Sequence, residues 1–145
     1  MGTNQWYHLC GTYDGKKMRL YIDGAEVTAF EYQDNSSFTR GFQLSSPLYL
    51  SVDGYVGSDQ YFPGLMAEVR VWDYARSRAQ ISAARSRVLQ GNERGLVVCY
   101  SFDDGNATLV TDVTGHGFNG QLVGEPGFFA NHSHPSNPYS HKEKK

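Results

Sequence analysis

Apolar and polar residues alternate along six segments of the chain, and the apolar positions are rich in β-branched and aromatic side chains. A period of two is typical of β-strands that bury one face. In the second segment, Met18, Leu20 and Ile22 fall on one side of the strand. We expect this side to face the core, and the side of Arg19 and Tyr21 to face solvent. The six predicted strands are 6–13, 18–22, 26–32, 48–52, 65–72 and 96–102.

Tight turns are predicted at three Asp-Gly pairs, which occupy positions 14–15, 23–24 and 53–54. This dipeptide supplies the positive φ angles that short hairpin turns require. The first two pairs therefore predict an antiparallel meander of consecutive strands. Carboxylates on loops also attract calcium, and this second interpretation of the aspartates stays open beside the hairpin one.

One segment, 77–90, departs from the β pattern and predicts a short helix. Ser77 precedes it as a candidate N-cap and Gly91 follows it as a candidate stop. The arginines of this segment form a solvated helix face or, alternatively, a patch for polyanions. The apolar residues at helical spacing are Ile81, Ala84, Val88 and Leu89.

Length and charge limit the classes of partner. The chain has 145 residues, the usual size of one domain with a tail, and 13 basic against 15 acidic side chains give a formal charge of −2. We therefore expect no nucleic-acid partner. No stretch approaches the roughly 20 apolar residues that span a bilayer, and the first residues lack the features of a signal peptide. The polar segment 128–145 is predicted to be a disordered tail.

Two cysteines, Cys10 and Cys99, lie inside apolar strand patterns. Free cysteine in such a place behaves as a small hydrophobic residue, and this favours two buried thiols. A disulfide between them, or to another chain, is the alternative.

Four blocks of sequence resemble the laminin-G-like, concanavalin A-like jelly rolls of secreted and cell-surface proteins. They are WYHLCGTYDG (6–15), LYIDG (20–24), FPGLMAEVRVW (62–72), and GLVVCYSFD (95–103) followed by DVTGHGFNG (112–120). The resemblance implies an all-β fold, an antiparallel β-sandwich of the jelly-roll type, with one short helix around 77–90.

The order of the blocks differs from that of the family. Residues 95–127 resemble the start of a jelly roll, whereas residues 1–94 resemble its C-terminal half. Two outcomes follow: either 95–124 pairs back against the strand at 65–72, or unpaired strand edges drive dimerisation, strand swapping or aggregation.

The resemblance implies a non-catalytic module that binds glycans or glycoproteins, located outside the cell or on its surface. A protein adhesion module and a fragment of a glycoside hydrolase are the alternatives. A hydrolase needs a pair of carboxylates, but the glucanase pattern Glu-x-Asp-x-x-Glu does not occur and Glu68 stands alone on its strand. We therefore predict that the chain is not an enzyme.

Candidate ligand-binding residues lie in the loop 53–61, where aromatic rings and carboxylates alternate as they do in sugar sites. Calcium is the metal that the resemblance implies, with Asp103 and Asp112 as its candidate ligands. Three N-x-Ser/Thr sequons, at Asn35, Asn106 and Asn131, favour an extracellular location. The candidate ligand-binding residues are Asp53, Tyr55, Asp59 and Tyr61.

Overall fold

The computed structural model describes residue 2 and residues 5–31, 48–50, 62–103 and 108–123. The chain divides into two compact units, one of Met1–Tyr32 with Ala67–Lys145 and one of Gln33–Met66. All of the helices and strands given below belong to the first unit. In the second unit, residues 48–50 are not in a strand, so the strand predicted at 48–52 is absent from its described part. The predicted tail, 128–145, lies outside the described residues.

The first sheet has three antiparallel strands in the order β1-β2-β3. They are β1 Leu9–Tyr13, β2 Lys17–Ile22 and β3 Ala25–Glu31. Asp14 fixes the β1–β2 turn, because its Oδ1 accepts hydrogen bonds from the backbone N–H groups of Lys16 and Lys17 at 3.0 and 2.7 Å. At the β2–β3 turn, Asp23 and Gly24 have φ angles of 51° and 80°. The hairpins predicted from these two Asp-Gly pairs are confirmed.

The remaining strands form two antiparallel ribbons. In the first, β4 Val69–Trp72 pairs with β5 Leu96–Tyr100, with Val69 opposite Tyr100. Within the range 95–124, β5 therefore pairs back onto the strand predicted at 65–72, as the first of the two expected outcomes requires. In the second ribbon, β6 Leu109–Val110 pairs with β7 Gly120–Gln121, two short strands that the sequence pattern did not predict. The division of the chain at residue 94 into halves of two modules stays a prediction.

The helix α1, Arg78–Ala84, begins where the sequence predicts and ends earlier. Ser77 forms a capping box with Gln80: the Ser77 Oγ accepts from the Gln80 backbone N–H at 3.3 Å, and the Gln80 Oε1 accepts from the Ser77 N–H at 2.8 Å. After the helix, the Arg70 guanidinium donates to the backbone oxygens of Ala84 and Arg87. Because a distant side chain satisfies these carbonyls, the chain leaves the helix, and the predicted extent to residue 90 is wrong.

The buried apolar residues come from β2, α1, the segment that follows α1, and the two ribbons. Leu89, Leu96 and Cys99 form a buried cluster, and Trp72 packs against it. Together with the one short helix and the antiparallel sheets of the described residues, this arrangement confirms the all-β prediction. The buried apolar residues are Tyr21, Ile81, Ala84, Leu89, Leu96, Cys99 and Val110.

The faces of β2 are opposite to those predicted. Tyr21 is only 3% exposed, whereas Met18 and Leu20, the expected core side, are 39% and 40% exposed. The chain packs against the side of Tyr21 instead, and α1 is tied to the β2–β3 turn by a hydrogen bond of 2.7 Å from Arg85 to the backbone oxygen of Asp23. In the described ranges, no helix is long and apolar enough to cross a membrane.

Candidate functional site

The four residues predicted to bind a ligand, Asp53, Tyr55, Asp59 and Tyr61, lie outside the described residues. Their role stays a prediction. The two predicted calcium ligands, Asp103 and Asp112, are both described.

Asp112 is buried, at 4% exposure, and organises the loop that joins β6 to β7. Its Oδ1 accepts hydrogen bonds from the backbone N–H groups of Cys99 at 3.2 Å and Thr114 at 3.1 Å. Its Oδ2 accepts one from the Phe118 N–H at 3.3 Å, and the Thr114 hydroxyl lies 2.7–2.8 Å from both oxygens. The Asp112 N–H in turn donates to the Asn119 Oδ1 at 2.9 Å. The carboxylate therefore joins strand β5 to both ends of the loop.

These contacts favour a charged carboxylate. Burial alone would raise the pKa of Asp112, but hydrogen bonds from the Thr114 side chain and from the backbone of Cys99, Thr114 and Phe118 outweigh it and lower the pKa below its ordinary value. The negative charge is thus balanced by N–H and O–H groups.

The surroundings of Asp112 do not fit a calcium ion. Calcium binds six to eight oxygen ligands, whereas both Asp112 oxygens already accept hydrogen bonds. Asp103 is exposed, and its backbone N–H donates to the Ser101 hydroxyl. Within the described ranges, no three His, Cys, Asp or Glu side chains come together as a metal site would require. Asp103 stays a predicted ligand, and Asp112 is a structural carboxylate.

Glu68, which lies directly before β4, is held in an ion pair with Arg70. The two side chains are 17% and 9% exposed. Arg70 Nη1 also donates to the Ala84 backbone oxygen at 2.8 Å, so Glu68 balances a buried guanidinium that anchors the end of α1. This structural task accounts for Glu68 without a catalytic role.

An aromatic and acidic group that the sequence analysis missed lies just after β4. Tyr74 is 41% exposed, and its ring meets Trp72 edge-to-face with centroids 6.1 Å apart. Asp73 is also exposed, and its backbone N–H donates to the Gly95 oxygen at 3.0 Å. Gly95 has a φ of 81°, and a Cβ added there would lie 2.5 Å from Tyr74 Cε1 and 2.6 Å from Asp73 Oδ1. The ring and the carboxylate therefore converge over this glycine.

Arg76 completes what we call the β4-end cluster: Trp72, Asp73, Tyr74 and Arg76. Its guanidinium carbon lies 4.0 Å from the centre of the Trp72 ring, a cation–π contact. Its Nε is buried without a hydrogen-bond partner among the described residues. A sequence signal for this cluster was present. Asp73 and Tyr74 directly follow the last alternating position of a predicted strand, and residues at the end of a strand are exposed more often than those within it.

Cys10 and Cys99 are not bonded to each other: both are free, Cys99 is buried as predicted, and Cys10 is only half-buried. Burial raises the pKa of Cys10, and it raises that of Cys99 to about 11. Neither sulfur is an activated nucleophile.

These features define a small β-sandwich module with a rigid polar and aromatic surface at one end of a ribbon. Its residues 1–82, more than half of the chain, match the family model Laminin_G_3 of the concanavalin A-like lectin/glucanases superfamily, and the chain belongs to that family.

Two curated relatives and one solved structure show similarity. Mouse pappalysin-1 is 30% identical over 125 residues, 79% of this chain and 8% of that protein. Jeltraxin from Lepidobatrachus laevis is 35% identical over 112 residues, 72% of this chain and 46% of that protein. The crystal structure of a Bacteroides ovatus protein described as carbohydrate binding aligns with a TM-score of 0.66 and 26% identity, over 86% of this chain and 38% of that one. This chain therefore spans less than half of each.

Proposed function

We propose that this chain is a non-catalytic module that binds carbohydrate or glycoconjugates. The observation that carries the proposal is the convergence of the Tyr74 ring and the Asp73 carboxylate over Gly95. An aromatic ring offers a flat apolar surface for the C–H face of a sugar, and a neighbouring carboxylate accepts hydrogen bonds from its hydroxyls. Rigid elements hold both groups: β4 on one side and the N-cap Ser77 on the other.

The solved neighbour supports this class of ligand. It is described as a carbohydrate binding protein, and it shares its fold with 86% of this chain. Fold similarity alone does not assign a ligand, because one fold hosts many functions. The β4-end cluster supplies the local chemistry that the fold does not.

The predicted loop residues form a second part of the proposal. Asp53, Tyr55, Asp59 and Tyr61 combine the same two chemistries. Calcium, if the binding requires it, takes its ligands from this loop or from Asp103, since the Asp112 oxygens face donors.

The absence of catalysis is also proposed, and it is supported by how the described carboxylates are used. Glycoside hydrolysis by the common route needs two carboxyl groups facing one bond. Glu68 is bound to Arg70 and Asp112 is enclosed by donors. An extracellular location is proposed on the three sequons at Asn35, Asn106 and Asn131.

A glycan array probed with the purified chain, in calcium and in EDTA, tests the proposal. We expect reproducible binding to one class of glycan. Tyr74→Ala should weaken it at least 10-fold and Asp73→Asn several-fold, because stacking and hydroxyl contacts are removed. Phe118→Ala, at a ring 54% exposed in the β6–β7 loop, is the matched control. A folded chain that binds no glycan refutes the proposal.

The loop is tested separately with the double variant Asp59→Asn, Tyr61→Ala. Glycan binding that is lost here and kept in Tyr74→Ala assigns the ligand to the loop. Binding that is equal in calcium and in EDTA removes calcium from the proposal.

Protein adhesion is the second candidate function. The observation that favours it is the exposed apolar face of the first sheet, on which Met18, Leu20 and Phe30 are 39%, 40% and 60% exposed.

A further inference from the structure

The antiparallel register places one set of side chains on a single face of the first sheet. Leu20 on the central strand lies opposite Gly11 on one side and Thr28 on the other, and Met18 lies between Tyr13 and Phe30. Directly opposed residues of antiparallel strands point to the same side. We call this set the outer face of the sheet: Leu9, Gly11, Tyr13, Met18, Leu20, Thr28 and Phe30.

The outer face is apolar and open. Leu9 and Phe30 are 56% and 60% exposed, and Met18 and Leu20 are 39% and 40% exposed. A shallow groove of about 410 Å³ runs across it between β1 and β3. If a side chain of this size has about 200 Å² of surface, these four expose roughly 400 Å². That is as large as the largest apolar patch of a typical monomer, and such patches mark interaction sites.

Charge does not oppose the burial of this face. None of its seven residues is charged. Arg19, which borders the groove, is paired with Asp14 at 2.6 Å, and Lys17 is 3.7 Å from Glu31. The Tyr13 hydroxyl already donates to the Gly15 backbone oxygen at 2.8 Å. Burial of this face therefore desolvates no unpaired charged group.

We propose that the outer face is the interface of a homodimer, in which a second copy of this chain packs the same face against it. A two-fold interface needs a self-complementary surface. A neutral apolar sheet face meets its own copy without repulsion, and two sheets stack face to face at about 10 Å. Leu20, on the central strand, lies near the two-fold axis.

The area agrees with a dimer of modest affinity. Four side chains supply roughly half of the about 800 Å² per partner of a standard interface. An interface of this size falls below the standard class, among weak and transient contacts. A glycan would find few hydrogen-bonding groups here, so this inference stands independently of the proposed carbohydrate binding. It gives the face a different occupant from the one that protein adhesion would give it.

Sedimentation equilibrium and light scattering from 1 to 200 μM test the proposal. The wild-type chain has a mass of 16.2 kDa, so we expect a species of twice that mass that dissociates on dilution. Leu20→Glu and Phe30→Glu should each raise the dimer dissociation constant at least 30-fold, because each places a charge in an apolar interface. Phe118→Glu, outside the outer face, should leave the dimer intact.

Circular dichroism and a thermal melt show whether the variants stay folded. Phe30→Glu keeps the test sound if Leu20→Glu unfolds, because Phe30 is 60% exposed on the edge strand β3. A wild-type monomer at 200 μM, open-ended aggregates, or a dimer that survives both substitutions overturns the proposal. A monomer would assign the outer face to another polypeptide segment.

Discussion

Replacing Asp112 with asparagine tests the assignment of this buried carboxylate as a structural group. Asparagine has the same shape, but its amide NH₂ would replace one of the two oxygens. In place of Oδ1 it would face the N–H groups of Cys99 and Thr114, and in place of Oδ2 it would face the N–H group of Phe118. A hydrogen bond to a charged group contributes about 1.5–3 kcal/mol, and an unsatisfied buried donor costs about 1–3 kcal/mol. Because bonds to one group are not additive, we expect a loss of about 2–4 kcal/mol in the free energy of unfolding.

Urea unfolding followed by circular dichroism measures this loss. For a chain of this size, the melting temperature should fall by about 8–16 °C, taking about 4 °C for each kcal/mol. The control is Asp103→Asn, at an exposed carboxylate, which should change stability by less than about 0.5 kcal/mol. Equal stability of Asp112→Asn and the wild type would refute the structural role.

The pH dependence gives an independent check of the same carboxylate. The pKa of Asp112 is lowered in the folded state, so the folded protein favours the deprotonated form. The contribution is complete above the unfolded pKa of about 3.9 and is lost as pH falls through the lower folded pKa. The stability difference between the wild type and Asp112→Asn should therefore be largest near pH 7 and narrow below about pH 4.

Three further predictions concern the helix and the thiols. Ser77→Ala should cost about 1 kcal/mol, measured by urea unfolding, because the N-cap hydrogen bond is lost; an unchanged midpoint would contradict the capping box. Arg70→Met should cost about 3–5 kcal/mol, because it leaves Glu68 as a half-buried unpaired carboxylate, and Arg70→Met with Glu68→Gln should recover part of it. Iodoacetamide at pH 8 should modify Cys10 before Cys99, because Cys99 is 2% exposed and its pKa is about 11; mass spectrometry that finds Cys99 modified first in the folded chain would refute this.

Local sequence signals predicted the elements that depend on neighbouring residues. The hairpin at Asp23-Gly24 follows from the φ angles that this dipeptide adopts, and the start of α1 follows from Ser77 with Gln80 three residues later. Such signals act within one turn of the chain. They were sufficient for the hairpins of the first sheet, and the family resemblance added the all-β fold.

Contacts between distant residues decided the rest. The end of α1 depends on Arg70, which lies 14 residues before Ala84, and no local pattern around residues 85–90 reveals this. The prediction of which side of β2 is buried was also wrong. Alternation shows that the two faces of a strand differ, but it does not show which face the rest of the chain covers. Tyr21 is 3% exposed and Leu20 is 40% exposed.

The β4–β5 ribbon links the buried charges to the candidate binding surface. Arg70 lies opposite Cys99 in the ribbon, and the Cys99 N–H donates to Asp112. At the other end of the same ribbon, Trp72 lies opposite Leu96, and the Asp73 N–H is bonded to Gly95.

Substitutions at Asp112 or Arg70 should therefore loosen the ribbon that holds Tyr74 and Asp73 in place, and weaken ligand binding without any contact to the ligand. A residue that contacts the ligand directly is distinguished from these supporting residues by the stability of its variant. Tyr74→Ala removes an exposed ring and should weaken binding with little change in the free energy of unfolding. Asp112→Asn should reduce both together, and binding should recover at lower temperature, where the folded fraction is restored.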